Sequence, residues 1–402
     1  MLVVPEEKWP VLAPTRRLTA LMQTTMSCPF PPEILDLIAD HLHDEPAALK
    51  TCCAVSKSWV PRTRRHLFAS IEFNSQGPTI GSWMQTFPDP LNSPAYYTWT
   101  LKILDIWAAT AASHWLRAFR HVVRLHMVTL VTDEDQISLV PFHGIWPALR
   151  SLRLGFDSIP PSEVFNFMCS FPLLEDLMLF HIGHESTSDT WITPSTSPKL
   201  TGSLDLGAMW GIWPTARRLL DLPNGLHFTR IALMCVHGAD FDTTTDMVSG
   251  CSDTLEYFSV TCNSLGVHPS PLFPIGTSLL RPVPLTSSFN LSTATKLKDL
   301  TFQCARPGVR WITAALQTTE SKNLRRITLC PYDAALEDPT DGVYREWLDL
   351  DRLLVQFWTS HSIRPRVVYD PDEEALDMGD YAPSLLPELT RRRLIDLVER
   401  SS

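Results

Sequence analysis

Apolar residues follow two different periods along this chain. The first fills residues 30–68, FPPEILDLIADHLHDEPAALKTCCAVSKSWVPRTRRHLF, where Ile34, Leu35, Ile38 and Leu42 recur at helical spacing. Pro31 and Pro32 suit a first helical turn, in which a missing N–H costs nothing, and Glu33 suits its positive end. Asp44 and Pro46 restart the chain for a second helix through Ala47, Leu49, Cys52 and Val55. Pro61 breaks that run after Trp59, and a third segment carries Arg62, Arg64, Arg65 and Leu67. Three short helices are too small to bury this much apolar surface among themselves, and surplus apolar skin on a small module marks a docking surface.

The second period is longer. An apolar-x-x-apolar-x-apolar template fits at Phe68/Ile71/Phe73, Leu101/Leu104/Ile106, Val122/Leu125/Met127, Leu149/Leu152/Leu154 and Leu174/Leu177/Leu179. With one inserted residue it fits at Leu200/Leu204/Leu206, and then at Phe228/Ile231/Leu233, Leu255/Phe258/Val260, Leu297/Leu300/Phe302 and Leu324/Ile327/Leu329. From Leu125 onward the middle residues are 27, 25, 27, 27, 27, 42 and 27 positions apart. A period near 27 residues suits leucine-rich repeats, each a short strand with a helical or irregular return. Strand alternation then turns Ile231, Leu233 and Cys235 inward, with Phe258, Val260 and Cys262, and Leu300, Phe302 and Cys304. The other face presents Arg153, Asp176, Met178, Arg230, Tyr257, Asp299 and Arg326, the candidates for a partner surface.

The expected organisation is therefore a disordered leader at 1–27, a helical module at 28–68, a solenoid at 69–330 and a cap at 331–402. The long interval contains residues 263–290, rich in Pro and Ser, read as a loop inserted into one repeat. In the cap, Trp347, Leu350, Leu354 and Phe357 or Trp358 predict an amphipathic helix, and RVVYD at 366–370 a further strand. DPDEEALDMGD predicts an acidic loop, and LPELTRRRLIDLVER a closing helix with Arg391, Arg392 and Arg393 on one face.

Composition narrows the function. The 34 Lys+Arg against 44 Asp+Glu give a net charge of −10, the wrong balance for a dedicated nucleic-acid binder. Nine cysteines with no C-x-x-C predict reduced thiols, and the three at one repeat phase read as small buried apolar residues. No run reaches the roughly 20 apolar residues of a membrane span, and Glu6, Glu7 and Lys8 occupy the place of a signal peptide's apolar core. A soluble protein of the cytoplasm and/or nucleus is expected. Phosphate-cradling and nucleophile-elbow motifs are absent, and HIGH at 181–184 lacks a third ligand at metal-site spacing. No catalytic residue, metal or cofactor is expected. Trp210 and Trp213 in MWGIWP are expected to pack between repeats.

The opening stretch resembles an F-box: FPPEILDLIADHL followed by CAVSKSW at 53–59, with Phe30 where Leu is usual. The resemblance covers about forty residues. It implies docking on a Skp-type adaptor and, through it, on a cullin scaffold, with Pro31, Pro32, Glu33, Ile34, Leu35, Ile38, Leu42, Leu49, Val55 and Trp59 forming or supporting the interface. Trp59 reads equally as a residue holding the helices together. Joined to the repeats, it implies an α/β architecture of a three-helix F-box module and a leucine-rich-repeat-like solenoid with a curved parallel sheet. Such proteins are non-catalytic substrate receptors of ubiquitin ligases, so the repeat face is expected to recruit a protein for ubiquitination. An adaptor-binding scaffold outside any cullin ligase, or an enzyme with an unrecognised site on the repeats, are the alternatives.

Overall fold

A computed structural model describes residues 31–74, 77–129, 138–156, 159–182, 191, 197–207, 212–235, 238–262, 290–304, 309–331, 342–369 and 383–399. The expected leader and all but the last residue of the inserted loop lie outside this set, as do the acidic loop and Gly183 and His184 of HIGH. The chain divides into two compact units, Met1–Leu67 and Phe68–Ser402.

Among its described residues the first unit has three helices, α1 (Pro32–His41), α2 (Pro46–Val55) and α3 (Val60–Leu67). Proline opens α1 and α2, and Pro61 sits in the first turn of α3, where no donor is lost. Leu35, Ala39 and Leu49 are its buried apolar residues. Thr63 is buried too, donating its hydroxyl to the Trp59 carbonyl at 2.8 Å and lying 2.7 Å from Cys53 Sγ.

Among its described residues the second unit is built on one parallel sheet of twelve strands in sequence order. They are β1 (Ser70–Phe73), β2 (Thr100–Ile103), β3 (Arg124–Thr129), β4 (Ser151–Phe156), β5 (Asp176–Ile182) and β6 (Ser203–Leu206). β7 (Arg230–Cys235), β8 (Tyr257–Cys262), β9 (Asp299–Cys304), β10 (Arg326–Pro331), β11 (Arg366–Tyr369) and β12 (Asp396–Glu399) follow. Parallel neighbours need a crossover, and here helices such as Pro161–Cys169, Ile212–Leu220 and Val309–Gln317 supply it. The architecture is an α/β solenoid of leucine-rich-repeat type, with the helices preceding it.

Register makes the core. Leu125, Leu152, Leu177, Leu204, Ile231, Phe258, Leu300 and Ile327 form one buried row across the strands. Met127, Leu154, Leu179, Leu206, Leu233, Val260, Phe302 and Leu329 form the next. A one-residue slip would turn an entire strand's apolar set outward, so each rung fixes its neighbour. Cys235, Cys262 and Cys304 share one register position on β7–β9. The Cys169 and Cys251 thiols are buried and pushed up to about 12 and about 11 by desolvation, which keeps them protonated and inert.

The template misplaces one rung. In β2 the inward residues are Leu101 and Ile103, while Leu104 lies exposed past the strand and Ile106 begins the helix Ile106–Ala111. The position that should announce this rung is Thr98, a buried polar residue, so the apolar triplet was read three residues late. The sheet also runs on past residue 330. At β11 the template positions are Ser362, Pro365 and Val367, so the repeat template does not find it, although the RVVYD run at 366–370 does predict this strand; at β12 they are Arg392, Ile395 and Leu397, inside the segment expected to be the closing helix. The closing helix is correspondingly short: it spans Pro387–Arg391, after which Arg393 adopts φ 55° and the chain enters β12. The predicted amphipathic helix forms as Gly342–His361 and buries Trp347, Leu350, Leu354 and Phe357.

Asp351 on that helix is 1% exposed, and its carboxylate accepts the backbone N–H groups of Glu388 at 2.8 Å and Leu389 at 3.0 Å. Desolvation raises its pKa while the two N–H donors oppose the rise. Asp351→Ala leaves both donors unsatisfied, and should destabilise the region by about 2 kcal/mol. Amide exchange over residues 387–399 checks this: faster exchange there, with residues 100–180 unchanged, is expected.

Candidate functional site

In the helical unit, α1 is apolar on two sides. Leu35 and Ala39 turn into the unit, whereas Ile34, Leu37 and Ile38 stand 40%, 65% and 37% exposed on the opposite face. Val55 at the end of α2 adds a further apolar residue, 72% exposed. Pro31, Pro32 and Glu33 are exposed at the start of α1, and Leu42 and Trp59 are half-buried. Of the residues singled out in the sequence, Leu35 and Leu49 therefore support the unit from within. Leu37 was missed, although its i+3 spacing from Ile34 places it on the same face.

Electrostatics fix how α1 sits on α3. The Asp40 carboxylate accepts from Arg62 Nε at 2.6 Å and from Arg62 Nη2, and lies 2.7 Å from His66 Nε2. The hydrogen bond from Arg62 does most to hold the Asp40 carboxyl at about 2, below its ordinary 3.8; desolvation opposes it, and the hydrogen bond from His66 adds to the lowering. Because the folded value is depressed, the stabilisation is present above pH 4 and is lost as pH falls through about 2. Asp40→Asn should thus raise amide exchange in residues 32–67 at pH 6 and converge with the parent near pH 2.

On the repeat unit, the face of the sheet opposite the helices carries the other sequence candidates. Asp176, Arg230, Tyr257 and Asp299 line one concavity of about 560 Å³, together with Gly202, Ser203, Asp205, Ala232, Ser259 and Thr301. Asp176 Oδ1 accepts from the Ser203 N–H and hydroxyl, both at 2.7 Å. A Cβ on Gly202 would lie 2.2 Å from that same oxygen, so only glycine permits the approach. The Arg230 guanidinium lies 4.8 Å from the centre of the Tyr257 ring. Burial raises the Asp205 pKa, with Arg153 opposing. Arg326 Nε is 3.9 Å from Asp299, at the margin of the concavity, and Met178 is not among its lining residues.

Arg153 belongs to a different group. Lys102, His126 and Arg153 occupy one register position on β2, β3 and β4. The Arg153 guanidinium stacks 4.9 Å from the centre of Phe180, whose ring lies over Gly155, where an added Cβ would come within 2.3 Å of it. Burial, then the charges of Arg153 and Lys102, bring His126 down to about 4, and its Nε2 is buried with no hydrogen-bond partner among the described residues. Sequence reading missed Asp205 because the insertion before β6 broke the register, and missed Phe180 because a bulge follows it in β5.

Among the described residues there is no cluster of three or more His, Cys, Asp or Glu able to hold a metal, and no helix long and apolar enough to cross a membrane. His181 and Trp210 have no described side chain, whereas Trp213 is buried in the core as expected of a packing residue.

No protein-family model matches the sequence, and neither does any curated protein. Among solved structures, the chain is similar to one in the crystal structure of the Rad7 and Elc1 complex in yeast, with 10% identity, a TM-score of 0.35, and coverage of 92% of this chain and 93% of that one. The superposition is too loose to bear on function.

Proposed function

We propose that the helical unit is an F-box-type module that docks on a Skp-type adaptor, and that the repeat unit is the receptor that brings a protein substrate to a cullin ligase for ubiquitination. The observation that carries this reading is the bare apolar face of Ile34, Leu37 and Ile38 on α1, with Val55 also exposed at the end of α2, on a unit too small to cover it. Pro31, Pro32 and Glu33 border that face, and Leu42 and Trp59 support it. Fully desolvating each apolar residue contributes roughly 1.5–3 kcal/mol, scaled by the fraction now exposed. The clasp of Asp40 with Arg62 and His66 holds α1 in place before docking, so little ordering is needed on binding.

The chain itself then supplies no covalent chemistry. It acts by proximity, raising the effective concentration of a substrate lysine near the conjugating enzyme. Co-expression with a tagged Skp-type adaptor and a cullin tests the assignment. Recovery of this chain with both supports it; recovery with the adaptor but never the cullin points to a scaffold acting outside a ligase; recovery with neither rejects the docking module.

A further inference from the structure

We infer that the open face of the sheet is a two-signed docking surface for one extended polypeptide segment, with acidic side chains over β2–β4 and a basic side chain in the concavity at β5–β9. This rests on the receptor reading above for what the segment belongs to, and adds its chemistry.

The charges on this face are unevenly spread along the strand order. Lys102, His126 and Arg153 stand side by side, and Arg124 adds a cation one position up on β3. Against them stands Glu72, which pairs with Lys102 at 3.3 Å. His126, brought down to about 4, is neutral at pH 7, so the charge of this group comes from Lys102, Arg124 and Arg153, of which Lys102 is shared with Glu72. Arg153 is also held in position, clamped on the Phe180 ring above Gly155. The sign then reverses: Asp176, Asp205 and Asp299 enter the concavity, and its lining cation, Arg230, is turned onto Tyr257.

Ion pairs between adjacent strands occur both in the row before this face, Arg150 with Glu175 at 2.8 Å and Lys298 with Glu256 at 2.7 Å, and on the face itself, Lys102 with Glu72 and Arg326 with Asp299 at 3.9 Å. The two signs are nevertheless unequally spread: Lys102, Arg124 and Arg153 stand against Glu72 over β1–β4, and Asp176, Asp205 and Asp299 against Arg230 in the concavity. A basic strip on a chain of net charge −10 is also not the average of its composition. A nucleic acid would match the basic half and be repelled by the acidic half, whereas a polypeptide carries both signs. From β3 to β7 is four strand intervals of about 4.8 Å, so roughly 19 Å, or about six extended residues, separate the two charge centres.

The test is selection of a phage-displayed library of random peptides, about sixteen residues long, on the full chain. Enriched peptides should carry an acidic run and an Arg or Lys separated by about four to eight residues. Arg124→Glu with Arg153→Glu should weaken such peptides by about tenfold or more, and Asp205→Asn with Asp299→Asn should remove the preference for the basic residue. Arg124→Gln with Arg153→Gln, a milder change, guards against misfolding, as does an unchanged thermal midpoint. Selections that yield no binder, binders of a single sign, or binders indifferent to both double variants overturn the inference. Adaptor binding measured on the same preparations keeps this separate from the docking module, whose residues none of these variants touch.

Discussion

Leu37→Asp should lower affinity for the Skp-type adaptor by about 100-fold or more, and leave the thermal midpoint of the repeat unit unchanged. Leu37 is 65% exposed on α1, so the substitution costs the free protein almost nothing. At a docked interface the same change removes an apolar contact of about 1–2 kcal/mol and adds an unpaired carboxylate that must be desolvated. A 100-fold loss needs only about 2.7 kcal/mol, less than these together. Ile34→Asp, Ile38→Asp and Val55→Asp should behave alike. Leu49→Ala is the contrasting case: Leu49 is 1% exposed, and the cavity should cost about 2–5 kcal/mol within the unit itself. Its loss of binding should therefore come with faster amide exchange across residues 32–67, which the surface variants should not show.

Trp146→Ala should be among the most damaging single changes in the repeat unit, at about 3–5 kcal/mol in chemical denaturation. The indole is fully buried, stacked 6.2 Å from Phe142 and tilted 6.4 Å from Phe171, in the return that leads into β4. In a solenoid each repeat is stabilised mainly by its neighbours, so the damage should spread to β4 and β5 before it reaches β10. Trp146→Phe gives the control. The indole N–H has no hydrogen-bond partner among the described residues, so replacing it removes a buried unsatisfied donor while keeping most of the ring. That variant should cost under about 1.5 kcal/mol. A Trp146→Phe as harmful as Trp146→Ala would mean that the N–H, and not the packing, stabilises this repeat.

Legibility of the fold followed the apolar rows. Where a rung begins with Leu149, Leu174, Phe228 or Leu255, spacing alone places the strand, because register and burial select the same residues. Where it begins with Thr98 or Arg392, the rung forms anyway, templated by its neighbour's backbone, and its first template position carries no apolar residue; β11, whose template begins with Ser362, is announced instead by its β-branched run RVVYD. The inserted residue before β6 is absorbed near Leu200, which takes φ 43°, a conformation that costs a branched side chain energy and that no propensity would suggest. On the helical unit, the apolar character of α1 was plain, but which side is core depends on α2 and α3. Hence Leu35 and Leu49, both strong sequence candidates, point inward, while Leu37 lies bare. Contacts between residues far apart in the chain were wholly hidden: Asp351 capping Glu388, Asp40 holding Arg62 and His66, and Phe180 over Gly155 all depend on the assembled geometry.

The most direct measurement is calorimetric titration of the purified full-length chain with a purified Skp-type adaptor, in the absence of any other protein. Docking through the bare face of α1 predicts a one-to-one complex with a negative heat-capacity change, the mark of apolar burial, and its disappearance in Leu37→Asp. A folded chain that gives no heat at any temperature, or one whose binding is untouched by Leu37→Asp and Val55→Asp, would contradict it.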